Sequence, residues 1–302
     1  MKNIVYFIFA IVIVMLSNFV QAAEVIGSKP NYLLFGASSV PNEKAMVTKI
    51  WAPGLDEGFV PQGVTWAENS VLIGSYHSTD PKIGKGQCRV YQVDIKSGSS
   101  KFFDLPSDCG HAGGLAYIGN DELLVSDTRK LYRVKLSLAL NEKNTQNALI
   151  GSIKLGGAVK GSFAGWDGKM VWLGASEKDE SMAKIFAFSK ELIEQKTGTI
   201  LRQEDALKTL SIGVQGQGVA FDKEGKMWLS FSSSKFGELQ QVDINDGKVI
   251  AAYEMPIGIE DLAFDQEGGL WSVSEAGSQR WSKWSSQFPI VFRLDINKLT
   301  KK

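Results

Sequence analysis

Hydrophobic and polar positions along this chain repeat as a unit. A short apolar segment ending in an aromatic residue recurs as GVTW at 63–66, GLAY at 114–117, FAGW at 163–166, GVAF at 218–221 and DLAF at 261–264. The closing aromatics are 51, 49, 55 and 43 residues apart, the length of a four-stranded propeller blade with variable loops. A turn and a second apolar run follow each: VLIGSY at 71–76, LLVSDT at 123–128, MVWLGAS at 170–176, KMWLSFS at 226–232 and GLWSVS at 269–274. Asp167-Gly168, Glu224-Gly225 and Gly268-Gly269 are turn residues that join the two runs as hairpins.

A third run with period-two alternation comes next, as in RVYQVDIKSG at 89–98 and IVFRLDINK at 290–298. Most repeats then add a fourth: SKFFDLP at 100–106, ALIGSIKL at 148–155, ALKTLSIG at 206–213 and KVIAAYEMP at 248–256. No fourth run follows the fifth repeat before Lys302, whereas AMVTKIW at 45–51 stands alone ahead of the first repeat. Pairing that run with the last blade closes the ring and removes its open sheet edges. The chain is therefore expected to be an all-β, five-bladed β-propeller closed by an N-terminal strand that completes the last blade. Six blades is the alternative if residues 24–60 hold more structure. Segment 191–205 is the one place where a short helix fits between blades.

Composition agrees. The 302 residues are 44% hydrophobic and 22% charged, with 31 glycines and only 8 prolines, which suits tight turns and excludes wholesale disorder or a multi-span membrane protein. Lys plus Arg and Asp plus Glu are 33 each, and no basic cluster stands out, so no nucleic-acid partner is expected.

Lys2, an apolar run from Ile4 to Leu16 and the small-residue site Val20-Gln21-Ala22 read as a secretory signal peptide over residues 1–22, cleaved after Ala22 or Ala23. An uncleaved anchor is the alternative. Cleavage leaves an N-terminal segment over 23–44, a single propeller domain over 45–302 and no integral membrane span. Export to the periplasm or beyond makes pairing of Cys88 with Cys109 the default. Their loop of about 20 residues is worth roughly 3 kcal/mol by chain entropy; two independent buried thiols are the alternative.

The stretches PQGVTW at 61–66, HAGGLAY at 111–117, GQGVAFDKEGKMWLS at 216–230 and GIEDLAFDQEGGLWSVSE at 258–275 resemble secreted β-propellers of the superfamily that includes SMP-30/gluconolactonase, NHL-repeat and YVTN proteins. In layout, FVPQGVTW, then GSYHS and a Cys-bearing loop, are also similar to plant-type glutaminyl cyclotransferases. The first resemblance implies a calcium or zinc ion held near the axis by a Glu, Asn and Asp set. The matching places here hold Gln62, Gly113, Ser162, Gln217 and Glu260, so only the Glu is kept in type, and no metal ligands are assigned.

In an antiparallel blade the start of the first strand and the end of the second share one face, so these positions converge on one mouth of the channel. They are Gln62, His111, Ser162, Gln217 and Glu260 at the entries, and Tyr76, His77, Asp127, Arg129, Glu177, Ser232 and Glu275 at the exits. Glu260 and His77 are the candidate catalytic residues, a confined carboxyl beside Asp261 and an imidazole expected to face the axis. Gln62, Tyr76, His111, Asp127, Arg129, Gln217 and Glu275 are candidate ligand contacts. The loop SEAGSQRWSKWSSQFP at 274–289 adds Trp281 and Trp284, suited to stacking on a sugar or to stapling the loop down. No G-x-S-x-G elbow or zinc spacing is present. The expected function is binding of a small polar molecule or sugar at this mouth by a monomer. A hydrolase, lactonase-like or lyase, acting there, and a protein-interaction scaffold are the alternatives.

Overall fold

A computed structural model describes residues 24–302; the expected signal segment lies outside the described residues. Five sheets, antiparallel but for one short parallel edge strand on each of two of them, form a ring. Blade 1 is Phe59–Ala67, Ser70–His77, Cys88–Val93 and Ser100–Asp104. Blade 2 is Gly114–Tyr117, Glu122–Asp127, Lys130–Lys135 and Leu149–Leu155. Blade 3 is Phe163–Trp166, Met170–Gly174, Lys184–Ser189 and Lys208–Ser211. Blade 4 is Gly216–Phe221, Met227–Ser232, Gly237–Val242 and Val249–Glu254. Blade 5 is Ile259–Phe264, Leu270–Ser274 and Ile290–Leu294, completed by Met46–Trp51, which runs antiparallel to Ile290–Leu294. The protein is a five-bladed β-propeller, closed as the repeat pattern requires.

The innermost strands touch one another around the whole ring, the first meeting the fifth. This tightness explains the glycine that opens the motif in blades 1, 2 and 4. A Cβ on Gly114 would stand 2.1 Å from the Ala164 backbone nitrogen, and one on Gly218 would stand 2.6 Å from the Asp261 Cα. Between blades the apolar faces form continuous cores, such as Leu124, Leu131, Val171, Leu173 and Phe188 between blades 2 and 3.

On the face where first strands turn into second strands, three blades use one device. An Asp in the turn accepts the indole N–H of a second-strand Trp: Trp172 to Asp167 at 2.8 Å, Trp228 to Asp222 at 3.0 Å and Trp271 to Asp265 at 2.9 Å. The same carboxylates accept backbone N–H groups of their own turns. The turn is thereby fixed, and the large indole is buried without an orphan donor.

Other details differ from the pattern. A helix Leu136–Glu142 links the third and fourth strands of blade 2, where no helix was foreseen. The helix allowed for after residue 190 is Lys190–Gln195, and Ile200–Leu201 then joins the outer edge of blade 2 rather than blade 3. In the N-terminal segment, Val25–Ile26 pairs in parallel with Lys49 and Ile50. The chain from there reaches the channel mouth, where Tyr32 donates to the Gly277 carbonyl at 2.8 Å and Ser38 and Gln287 exchange hydrogen bonds. Cys88 and Cys109 form a disulfide with Cα atoms 5.7 Å apart.

Candidate functional site

The mouth opposite the Asp–Trp turns collects polar side chains from blades 1, 2 and 5. Glu260, at the start of the inner strand of blade 5, is buried, as is Glu275, at the exit of the next strand. Gln62 lies beside them in the entry of blade 1 and is also buried. Its amide nitrogen donates to Glu275 Oε2 at 2.8 Å and to the Pro61 carbonyl at 2.9 Å, which fixes the amide's orientation. Its oxygen is then left to His111 Nε2, 2.8 Å away. His111 stacks on the buried Tyr76 with ring centroids 4.5 Å apart, and its Nδ1 faces the Gly84 carbonyl at 3.1 Å. A continuous chain thus runs from carboxyl pair to amide to imidazole.

Arg280 closes the arrangement from the loop of blade 5. It donates to the Tyr76 hydroxyl and, at 3.2 Å, to the Pro81 carbonyl. Its guanidinium lies 4.1 Å from the ring centroid of Trp281, and Trp281 stacks on Trp284 with centroids 4.8 Å apart. Gln279 ties the same loop to the Leu55 and Asp56 carbonyls, each at 2.9 Å. Phe288, from the far end of this loop, is a core residue packed with Phe292. The loop is therefore stapled by Phe288 while Arg280, Trp281 and Trp284 remain at the mouth.

Burial governs the electrostatics. Desolvation pushes the Glu260 carboxyl well above the ordinary carboxylate range, and the neighbouring charges of Glu275 and Asp261 push it the same way. Desolvation also raises Glu275, to about 7, against the opposing influence of Trp281, Arg280 and Gln62. Each carboxylate charge therefore disfavours the other, and the two groups resist ionising together. Burial holds His111 below the usual histidine range, with the Gly84 contact and the Asp127 charge acting against it. Both His111 nitrogens face oxygen acceptors, which only a doubly protonated ring satisfies together. The neutral ring favoured by burial leaves one of them unmet.

Several buried polar atoms here have no partner: Glu260 Oε1, Arg280 Nε, Trp281 Nε1 and Ser278 Oγ. Asp261 has a different role. Its Oδ2 accepts backbone N–H groups from Val64 of blade 1 at 3.1 Å and Leu115 of blade 2 at 3.0 Å, so this carboxyl ties three blades together at the axis. Among the described residues no group of three or more His, Cys, Asp or Glu is placed to hold a metal ion. Asp261 gives only Oδ2 to those donors, and its Oδ1 is a further buried oxygen without a partner. The residues here do not reproduce the Glu, Asn and Asp set that the resemblance implied.

Of the residues singled out from sequence, the fold brings together Gln62, Tyr76, His111, Glu260, Glu275, Trp281 and Trp284. His77 stands apart from them: strand alternation sends it to the opposite face of its sheet from Tyr76, exposed and edge-on to Phe59 at 5.6 Å, with no hydrogen bond to Gln62, Glu260 or Glu275 among the described residues. Asp127 supports the site from behind, accepting the Gly110 N–H at 3.0 Å beside His111. Arg129 is committed to the Gly157 and Val159 carbonyls and makes no ion pair with Glu260. Gln217 reaches only Ser232 Oγ, at 3.5 Å on blade 4, and Glu177 pairs with Lys160. Arg280 went unselected although it stands in the loop noted for its tryptophans. The disulfide stands directly behind the site, since the loops it joins meet again where the Gly86 N–H donates to the Gly110 carbonyl at 2.9 Å. A separate cleft of about 840 Å3 lies on the opposite face between blades 5 and 1, lined in part by Trp66, Gln92, Lys101, Trp271 and Arg293.

No protein-family model matches the chain, and no curated protein matches it in sequence. Solved structures with similar shape include the pyrroloquinoline-quinone-bound aldose sugar dehydrogenase of Streptomyces coelicolor, at 16% identity and a TM-score of 0.45 over 71% of this chain and 74% of that one. A luciferin-regenerating enzyme is similar at 13% identity and a TM-score of 0.43 over 80% and 76%. Virginiamycin B lyase from Staphylococcus aureus is similar at 13% identity and a TM-score of 0.38 over 72% and 64%. The fold assignment rests on the strand pairing itself.

Proposed function

We propose that the mouth formed by Gln62, Tyr76, His111, Glu260, Glu275 and Arg280 binds a small polar ligand. The observation that carries this reading is the cluster of buried, unpartnered polar atoms there, Glu260 Oε1, Arg280 Nε and Ser278 Oγ. Leaving such groups unpaired costs about 1–3 kcal/mol each, a cost that a ligand offering both donors and acceptors removes. Trp281 and Trp284 give it an aromatic wall at the rim. The protein acts outside the cytoplasm on this reading, supported by the Cys88–Cys109 disulfide.

A second reading adds chemistry at the same place. The raised Glu260 and Glu275 carboxyls suit proton transfer near neutral pH, as a hydrolase or lyase requires: the ionised member takes a proton from the ligand and the protonated member returns one. Thermal unfolding and calorimetry against a panel of lactones, sugars and amino-acid derivatives test the site. The expected result is stabilisation by at least one compound that Arg280→Ala abolishes, and stabilisation that Arg280→Ala leaves unchanged would overturn the assignment. If the ligand is turned over, Glu260→Gln is expected to abolish turnover with affinity largely retained. In a pure binder affinity alone changes.

A further inference from the structure

The loops around the mouth carry apolar side chains where solvent exposure brings no benefit. Leu34 and Phe35 are 86% and 83% exposed, Ile83 is 51% exposed and Phe236 is 38% exposed. All lie on the mouth side of the ring. Ile83 and Phe236 are in the connections between second and third strands of blades 1 and 4. Leu34 and Phe35 stand between the Tyr32–Gly277 and Ser38–Gln287 contacts that fasten the N-terminal segment to the blade-5 loop.

These tips are built rather than loose. Ser78 Oγ donates to the Ile83 carbonyl at 2.7 Å, the Ser233 N–H to the Phe236 carbonyl at 2.9 Å, and Lys29 Nζ to the Leu33 carbonyl at 2.8 Å. Each tip has a lysine beside it: Lys29, Lys82 and Lys235, with Lys283 in the blade-5 loop. None of the four enters an ion pair among the described residues, and with Lys85 and Arg280 they outnumber the exposed carboxylates of the same tips, Asp56, Glu57 and Asp80. The blade-3 loop is the contrast, because its exposed Met182 lies near Asp179 and Glu180 with only Lys178 against them, while Glu177 is paired with Lys160.

We propose that the mouth face of blades 4, 5 and 1 docks on an anionic lipid bilayer. Apolar tips held in one face, each next to an unpaired ammonium group, match an interface whose outer layer is negative and whose next layer is hydrocarbon. The acidic blade-3 loop gives the contact a polarity, with blades 5 and 1 down and blade 3 lifted. The channel mouth then opens at the membrane surface. This inference stands independently of what the channel binds.

Sedimentation with vesicles tests it, using residues 24–302, which supply every blade, the closing strand and the disulfide. Vesicles of phosphatidylcholine containing about a third phosphatidylglycerol are expected to carry the protein down, with binding weakened by salt. Pure phosphatidylcholine is expected to carry little. Leu34→Ser with Phe35→Ser is expected to lower partitioning about tenfold or more, and Lys82→Glu with Lys235→Glu to lower it comparably. Val249→Ser with Ile250→Ser, on the outer strand of blade 4 and 53% and 55% exposed in the parent, is expected to change nothing. All of these sites are exposed, so folding is preserved and checked by the unfolding midpoint. Failure to bind the anionic vesicles overturns the proposal. So does equal binding to neutral vesicles, an undiminished Leu34/Phe35 variant, or an equal loss in the Val249/Ile250 control.

Discussion

The two ends of this propeller are made from the same repeat and solve opposite problems. At the closed end, Asp167, Asp222 and Asp265 each satisfy an indole and a turn backbone at once, and Arg293 adds a two-point contact to Asp265, at 2.5 and 3.2 Å. At the mouth, Glu260 and Glu275 are buried without an ion pair among the described residues, and several polar atoms lack partners. Regular turns of similar length specify a rigid base, while connections of unequal length carry the departures from good folding practice that a ligand site requires.

The difference has a sign in pH. Burial would raise Asp265, but Arg293 and the turn hold it below the usual aspartate range, so its contribution is present above its unfolded pKa and is lost as pH falls through its folded value. Glu275 has the opposite dependence. With a folded pKa of about 7 against an ordinary 4.5, its proton is bound more tightly in the native state. Its favourable contribution is full below the unfolded value and is lost as pH rises to about 7.

The sharpest break of the contrast is Asp265→Ala. It strands Trp271, Arg293 and two backbone donors, and is expected to cost about 3–5 kcal/mol in denaturant unfolding while a ligand's contacts at the mouth stay intact. Next is Cys88→Ser with Cys109→Ser, expected to cost about 3 kcal/mol and, because the bridge backs the Gly84–His111 loops, to weaken ligand binding as well. Glu275→Gln is expected to raise stability at pH 8 by up to about 3 kcal/mol and to flatten the fall in unfolding midpoint between pH 5 and 8. Arg280→Ala is expected to change stability by about 1 kcal/mol or less, because its partners are neutral oxygens, yet to cost ligand affinity tenfold or more. A large stability loss there would mean that Arg280 is part of the frame.

The fold was legible because period-two alternation and the recurring four-residue motif ending in an aromatic encode blades directly, and because the stray run at 45–51 had only one unfilled place to go. Part of the site was legible for the same reason: strand entries and exits must converge, which placed Gln62, Tyr76, His111, Glu260 and Glu275 together. His77 stands apart from the cluster because neighbouring residues on a strand face opposite ways, and Tyr76 takes the face that packs on His111. Arg280 was missed because loop conformation decides which of its side chains turns back, and no periodicity encodes that. The Leu136–Glu142 helix was hidden in a short apolar stretch, LSLAL, that reads equally well as strand continuation.

The central claim is that burial at the mouth keeps Glu260 and Glu275 from ionising together until about neutral pH. Carboxyl titration followed by infrared or carbon-13 spectroscopy tests it most directly, comparing the parent with Glu275→Gln and Glu260→Gln. The account predicts a carboxyl signal with an apparent midpoint near 7 that either substitution removes. A full set of carboxyls ionised by about pH 5, as for ordinary solvated groups, would contradict it.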